Sequence, residues 1–251
     1  MTVTTAPLGA ARVITWDRQA RRNAWDVETM TAIADAIEAA GADPEVRCVV
    51  LRGAGEHFSA GDDLQAAVEA DSGAWAATMN CFQRLTRVVL SAPVPAIAAV
   101  DGVCVGGALE FAASCDLRLC TDRILLMTPE VSIGLVASNA GTLLLPEVLG
   151  ESAARELLLG GEPHDAGWAR EHGFATELLA PAELDARVEH WAGVFSSTSR
   201  AAVAATKAML NERFGTLLDE AMDRETRHGV RLFDEGDAKV ALRTFAEQRR
   251  R

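Results

Sequence analysis

The sequence predicts an α/β body followed by a helical region, and three observations carry that prediction. Between residues 11 and 128, short apolar runs rich in Val, Ile and Leu alternate with glycine-containing turns and helical spacings. From Ser152 onward strand-like runs almost vanish and helical spacing takes over. Hydrophobic residues make up 49% of the 251 positions, enough for a continuous core against which the helices can pack. No low-complexity linker and no internal repeat separates the two parts.

Ala11 to Trp16 reads as a strand centred on Val13, Ile14 and Thr15, followed by a charged loop from Asp17 to Asn23. Asp26 is placed to cap a helix in which Met30, Ile33, Ala34 and Ile37 recur at helical spacing, ended by Gly41 to Pro44. Val46 to Arg52 reads as a buried strand, and Gly53-Ala54-Gly55 as the turn after it. Val94 to Val100 is a second such strand, Gly102 to Gly107 a loop and Ala108 to Ser114 a short helix. Asp116 to Cys120 and Leu125 to Thr128 are short strands. Helices are expected over Ala153 to Leu159, Ala166 to His172, Pro181 to Phe195, Ser199 to Arg213, Thr216 to Phe233 and Asp237 to Arg250.

The formal net charge is −12, which argues against nucleic-acid binding because phosphate contacts need a basic surface. An anionic ligand would have to meet local basic groups or backbone N–H groups. Cys48, Cys81, Cys104, Cys115 and Cys120 are odd in number and form no C-x-x-C pair, so they read as reduced residues of a cytoplasmic protein. No His/Cys cluster suggests a metal, no basic-then-apolar opening suggests a signal peptide, and no apolar run is long enough for a membrane span.

Two carboxyls stand in apolar surroundings. Glu110 lies within Gly106-Gly107-Ala108-Leu109-Glu110-Phe111, and Glu130 within Met127-Thr128-Pro129-Glu130-Val131. A buried carboxylate without a partner is costly, so such groups shift their pKa or serve a function. A pair of them in one dry cleft suits proton transfer. Either one alone could equally point from a half-buried element to water.

Two loops precede apolar elements. His57-Phe58-Ser59-Ala60-Gly61-Asp62-Asp63-Leu64 follows a strand, and its small residues let backbone N–H groups approach a ligand. Taken alone, it is also an ordinary strand-to-helix turn. Asp101-Gly102-Val103-Cys104-Val105-Gly106-Gly107 opens the helix that carries Glu110, whose N-terminal N–H groups favour negative charge. It is neither G-x-G-x-x-G nor a P-loop. Together, the loops and carboxyls fit one chemistry: N–H groups hold an oxyanion while carboxyls move protons beside it.

These segments, in this order, resemble the crotonase superfamily, the enoyl-CoA hydratase/isomerase family, nearly end to end. Arg21-Arg22-Asn23-Ala24 resembles its coenzyme A loop, and Phe58 to Leu64 its first oxyanion segment. Gly106 to Glu110 with Cys115-Asp116 resembles the second oxyanion segment, and Pro129-Glu130 with Gly134 the second catalytic glutamate segment. Phe245-Ala246-Glu247-Gln248-Arg249 resembles the terminal motif. The resemblance implies a spiral of repeated β-β-α units in residues 1–195 and a C-terminal helical trimerisation region in 196–251. It implies Glu110 and Glu130 as catalytic residues and the N–H groups of Asp62 and Gly107 as the oxyanion hole. Acyl-CoA would contact Arg22, Ala24, Ala60, Gly61, Asp62, Asp63, Leu64, Gly106 and Phe245, with no separate cofactor and no metal. Retention of both glutamates tilts the implied reaction towards hydration of a 2-enoyl-CoA. The alternatives are double-bond isomerisation or another enolate reaction, and a non-catalytic acyl-CoA-binding homologue. Asp62 stands where the family more often has Ala or Gly, Gln248 where it has Lys, and Ala137 to Thr142 where it often has Pro-x-x-Gly-Gly-Thr.

Several other residues carry two readings. Arg18, Arg21 and Arg22 form either a phosphate patch or a solvated loop. Trp75, Met79 and Phe82 line either an acyl pocket or a plain core stripe. His57 reads as a surface or supporting histidine, and Asp116 as a group that orients local backbone.

Overall fold

The computed structural model describes residues 2–248, with the side chains at 66, 69, 237, 243 and 245–248 outside the description. Strands β1 (Thr2–Leu8) and β2 (Ala11–Asp17) form an antiparallel hairpin at the edge of a six-stranded sheet of order β1-β2-β3-β4-β6-β8. From β2 onward, β3 (Cys48–Gly53), β4 (Ala96–Val100), β6 (Leu117–Thr121) and β8 (Glu177–Leu179) all pair in parallel. A second, two-stranded parallel sheet joins β5 (Val103–Val105) to β7 (Leu125–Met127).

Parallel strands need covering on both faces, and β3 and β4 read as nearly unbroken apolar runs for that reason. On one face lie α1 (Val27–Ala42), α3 (Ser72–Ser91) and α4 (Gly107–Ser114), packed through Met30, Ile33, Ile37, Leu85, Val89 and Phe111. On the other, Leu184, Val188 and Ala192 of α8 (Leu184–Ser196) cover Cys48, Val50, Ile97, Ala99 and Leu119. Asp26 caps α1 as its sequence position predicts, accepting the Thr29 N–H.

The remaining helices are α2 (Leu64–Glu69), α5 (Gly141–Leu149), α6 (Glu151–Gly160), α7 (Ala166–Glu171), α9 (Arg200–Glu212), α10 (Gly215–Glu235) and α11 (Asp237–Gln248). The last two dock on the body of the same chain: α10 packs on α3 and α5, and α11 on α2 and on the 3-10 turn Pro129–Ile133. Phe233 is buried against Trp75, their rings stacked 5.3 Å apart. No described helix is long and apolar enough to cross a membrane.

The structure differs from the sequence reading in several places, among them β8 and α3, which that reading leaves out. The segment from Gly102 to Gly107 is not all loop, because Val103–Val105 pairs with Leu125–Met127. Residues 2–8 form a strand although their alternation carries little apolar signal; the hairpin to β2 holds them. Pro181 starts a separate 3-10 turn, and the helix proper begins at Leu184. Helix α5 holds Pro146 and escapes a pattern-based reading.

Candidate active site

An aromatic cluster fixes the first loop. Trp16 meets Trp25 and Phe58 edge-on at 5.3 and 5.0 Å, and its indole N–H donates to the Phe58 carbonyl at 2.7 Å. Asn23, fully buried, donates through Nδ2 to the carbonyls of Ala54 and His57 at 2.8 and 2.7 Å. Ser59 forms a parallel bridge to Cys104, and Asp62 one to Trp25. The Trp25 bridge uses the Gly61 carbonyl and the Asp63 N–H, which leaves the N–H of Asp62 on the opposite side. Gly61 has φ +81°, and a Cβ there would stand 2.6 Å from the Val105 carbonyl, so only glycine lets the two loops approach this closely.

The second loop ends at Gly106, whose N–H donates to Met127 and whose φ of +59° turns the chain into α4. Gly107 is the first residue of that helix, so its N–H has no intrahelical acceptor. The Phe82 ring lies directly against Gly107. Asp62 and Gly107 line one cleft of about 50 Å³, together with Glu130, Leu64, Trp75, Phe82, Ile133 and Leu135. Trp75 and Phe82 therefore line the cleft, whereas Met79 is a core residue beside Phe233.

The two glutamates are placed differently. Glu130 lines the cleft beside Gly106, and its buried Oε2 has no hydrogen-bond partner. Glu110 is fully buried and outside the cleft lining, and its Oε2 accepts N–H groups from Asn139 at 2.8 Å, Gly141 at 3.1 Å and Ser138 at 3.3 Å. Burial raises Glu130 to about 7, reinforced by the charges of Asp62 and Glu225. Burial and then Glu225 and Glu130 push Glu110 well above the carboxylate range, although the N–H groups of Asn139 and Ser138 oppose this. Asp62 also rises to about 7, from burial first and the neighbouring Asp63 charge second, and its buried Oδ2 has no partner.

A carboxyl raised on folding stabilises the fold below its ordinary pKa, and that contribution is lost as pH rises through the folded value. For Asp62 and Glu130 the window runs from 3.8 and 4.5 respectively to about 7. The urea midpoint is accordingly expected to fall across this window, with a shallower slope in Asp62→Asn. Equal slopes in the two proteins would show that Asp62 does not titrate there.

Glu225 has no place in the sequence reading. It lies on the buried stripe of α10 with Ala221, Met222, Gly229 and Phe233, and a glutamate at that spacing is the signal that could have found it. It accepts the N–H groups of Ala140 at 2.7 Å and Thr142 at 2.9 Å, and the Thr142 hydroxyl at 2.6 Å. Gln83 on α3 adds a bond to Thr226 at 2.8 Å and one to the Ser138 carbonyl at 3.3 Å. Segment 138–142, whose Ser138 lines the cleft, is thus held between Glu110 and Glu225.

Outside the cleft a groove of about 510 Å³ continues past Pro129, Val105, Ala60 and Leu64 to Ala24 and Arg22. The basic cluster expected there is reduced by pairing. Arg18 bonds to Asp63 at 2.9 Å and Asp26 at 3.3 Å, and Arg21 to Asp63 at 3.3 Å. Among the described residues only Arg22 of the three lacks a carboxylate partner. The Ala24 carbonyl already accepts from Arg18 at 2.6 Å. His57 supports the second loop by accepting the Val103 N–H at 3.3 Å. Asp116 takes the Ala96 N–H and the buried Lys207 ammonium, both at 2.7 Å. Phe245 falls on α11, but its side chain, like that of Gln248 and all of residues 249–251, lies outside the described residues. No group of His, Cys, Asp and Glu suited to a metal occurs among the described residues.

A parallel α/β body that sets two N–H donors beside buried carboxyls has the build of an acid–base enzyme. The chain belongs to the enoyl-CoA hydratase/isomerase family of the crotonase superfamily, whose model matches residues 9–251. It is 30% identical over 239 residues to the putative enoyl-CoA hydratase/isomerase YngF of Bacillus subtilis, covering 95% of this chain and 92% of that one. It is 31% identical over 236 residues to the crotonyl-CoA hydratase of Syntrophomonas wolfei, covering 93% and 90%. An enoyl-CoA hydratase structure from Mycobacterium avium superposes with a TM-score of 0.88 at 27% identity, covering 98% of this chain and 96% of that one.

Proposed function

We propose that the protein is an enoyl-CoA hydratase that adds water reversibly to a 2-enoyl-CoA thioester. One observation supports this most: Glu130, with an unpartnered carboxyl oxygen, shares a cleft with the unused N–H groups of Asp62 and Gly107. In this reading the thioester oxygen sits on those two N–H groups. A carboxylate takes a proton from water, the C3–O bond forms, and the π electrons move onto the thioester oxygen. A carboxyl then delivers a proton to the α-carbon. Losing one such N–H donor typically removes about 3–4 kcal/mol of transition-state stabilisation. Glu130 acts at the cleft, and Glu110, buried and near enough to feel its charge, is the second carboxyl of this reading. The test is loss of the ultraviolet enoyl-thioester band on mixing with crotonyl-CoA. Hydration bleaches it. An unchanged band with turnover of 3-enoyl-CoA would make the protein an isomerase, and binding without turnover would make it a carrier homologue.

The coenzyme A moiety would follow the groove to Arg22, which has no carboxylate partner among the described residues. Arg22→Glu is expected to raise the KM for acyl-CoA, by a factor that shrinks at high salt, because the net charge of −12 already repels an anion. A KM equal to wild type at low and high ionic strength would move the phosphate contact elsewhere. The reading also includes a homotrimer or a dimer of trimers. Met209, Leu210 and Leu217 of α9 and α10 are exposed in the single chain and gain cover by self-association. Phe233 does not need a neighbour, since Trp75 of its own chain covers it. Sedimentation showing an active monomer would remove the trimer.

A further inference from the structure

The carboxyls of the site divide into committed and uncommitted groups. Glu110 is held by the N–H groups of 138, 139 and 141, and Glu225 by those of 140 and 142. Asp63 is held by Arg18 and Arg21. Two buried carboxyl oxygens accept nothing, Oδ2 of Asp62 and Oε2 of Glu130, and both residues line the same narrow cleft. Asp62 also borders the outer groove, but its Oδ2 is buried. Unpartnered buried oxygens are costly, and their persistence in a cleft marks groups kept for a ligand.

Covalent geometry says which part of the ligand. The carboxyl oxygens of an aspartate lie about 3–4 Å from its own backbone nitrogen, given bonds of about 1.5 Å. In an acyl thioester the α-carbon lies about 2.4 Å from the carbonyl oxygen by the same bond lengths. An oxygen bound to the Asp62 N–H therefore keeps the α-carbon within about 5 Å of that nitrogen, a span the Asp62 carboxyl covers when the two lie on the same side. We propose that Asp62 is a further catalytic residue, whose carboxyl carries the proton to and from the α-carbon and is recharged by Glu130. This rests on the enoyl-thioester reading above.

The protons balance. Water gives its proton to the Glu130 carboxylate as its oxygen bonds to C3, and the electrons of the double bond pass to the thioester oxygen. The Asp62 O–H bond then breaks, the C2–H bond forms, and the thioester carbonyl is restored. Glu130 passes its new proton to the Asp62 carboxylate, which resets both groups. Burial holds Asp62 near 7, where it can both keep and release a proton at neutral pH.

The test is exchange of the α-protons of butyryl-CoA in deuterated water, followed by mass spectrometry, beside hydration of crotonyl-CoA. Two variants are used. Asp62→Asn keeps the shape, and Asp62→Ala removes the carboxyl while keeping the N–H. Both are expected to lose about 100-fold or more in exchange and in the kcat of hydration, with KM and melting temperature close to wild type. Exchange at the wild-type rate in a folded Asp62→Ala would overturn the proposal and leave the hydratase reading intact. A wild-type protein that hydrates crotonyl-CoA without exchanging α-protons would overturn it equally. Absence of both activities would sink the hydratase reading as well.

Discussion

Glu130→Gln is expected to lower kcat for crotonyl-CoA hydration by about 100-fold or more, the scale of general acid–base catalysis. The substitution keeps the shape of the side chain but removes its capacity to take a proton. Because Oε2 of Glu130 has no partner in the free protein, no internal hydrogen bond is lost with it. Burial has already raised this carboxyl to about 7, so a neutral amide should hold or raise the melting temperature at pH 8. Glu110→Gln should reduce activity on a similar scale but behave differently in stability. Its amide oxygen can keep the N–H groups of 138, 139 and 141 at the Oε2 place, but the amide NH2 then sits at the Oε1 place facing the Ser138 N–H, donor against donor. Stopped-flow turnover and thermal melts on the two variants separate these effects. Full activity in Glu130→Gln would remove that residue from the mechanism.

Glu225→Ala is expected to be the most destabilising single change near the site. It strands the N–H groups of Ala140 and Thr142 and the Thr142 hydroxyl, each bonded to Glu225 at 2.6–2.9 Å. A buried donor left without an acceptor costs about 1–3 kcal/mol, so the total is about 3 kcal/mol or more. For a chain of this size that lowers the melting temperature by roughly 6–12 °C. Activity should fall with it, because the same segment supplies the N–H groups that hold Glu110. Glu225→Gln keeps one acceptor oxygen and should be intermediate in both respects. An unchanged melting temperature in Glu225→Ala would mean that segment 138–142 stands without this support.

The parts of the site that depend on short-range chemistry were legible in the sequence. Gly61, Gly106 and Gly107 announced close backbone approach, and Glu110 and Glu130 stood out against apolar neighbours. Asp26 announced the start of α1. The family came from the resemblance of whole segments, since no single loop specifies it. What stayed hidden depends on residues far apart in the chain. Arg18 and Arg21 looked like free cations because Asp63, more than forty positions away, reaches them only in the fold. Glu225 stayed hidden because its partners, Ala140 and Thr142, are over eighty positions upstream. Strand β5 looked like loop because three residues between glycines carry too little pattern, and only pairing with β7 makes them a strand.

Segment 138–142 works like the teeth of a comb, with N–H groups of 138, 139 and 141 engaging one carboxyl and those of 140 and 142 the other. Its side chains are fixed as firmly as its length: a Cβ on Gly141 would run into Glu110, buried Asn139 accepts the Thr86 hydroxyl, and the Thr142 hydroxyl donates to Glu225. Deleting or inserting one residue just before it would turn three of the five N–H groups towards the wrong glutamate. The segment is therefore a poor place for loop grafting. Acyl preference would be better altered at Trp75 and Phe82, whose side chains line the cleft.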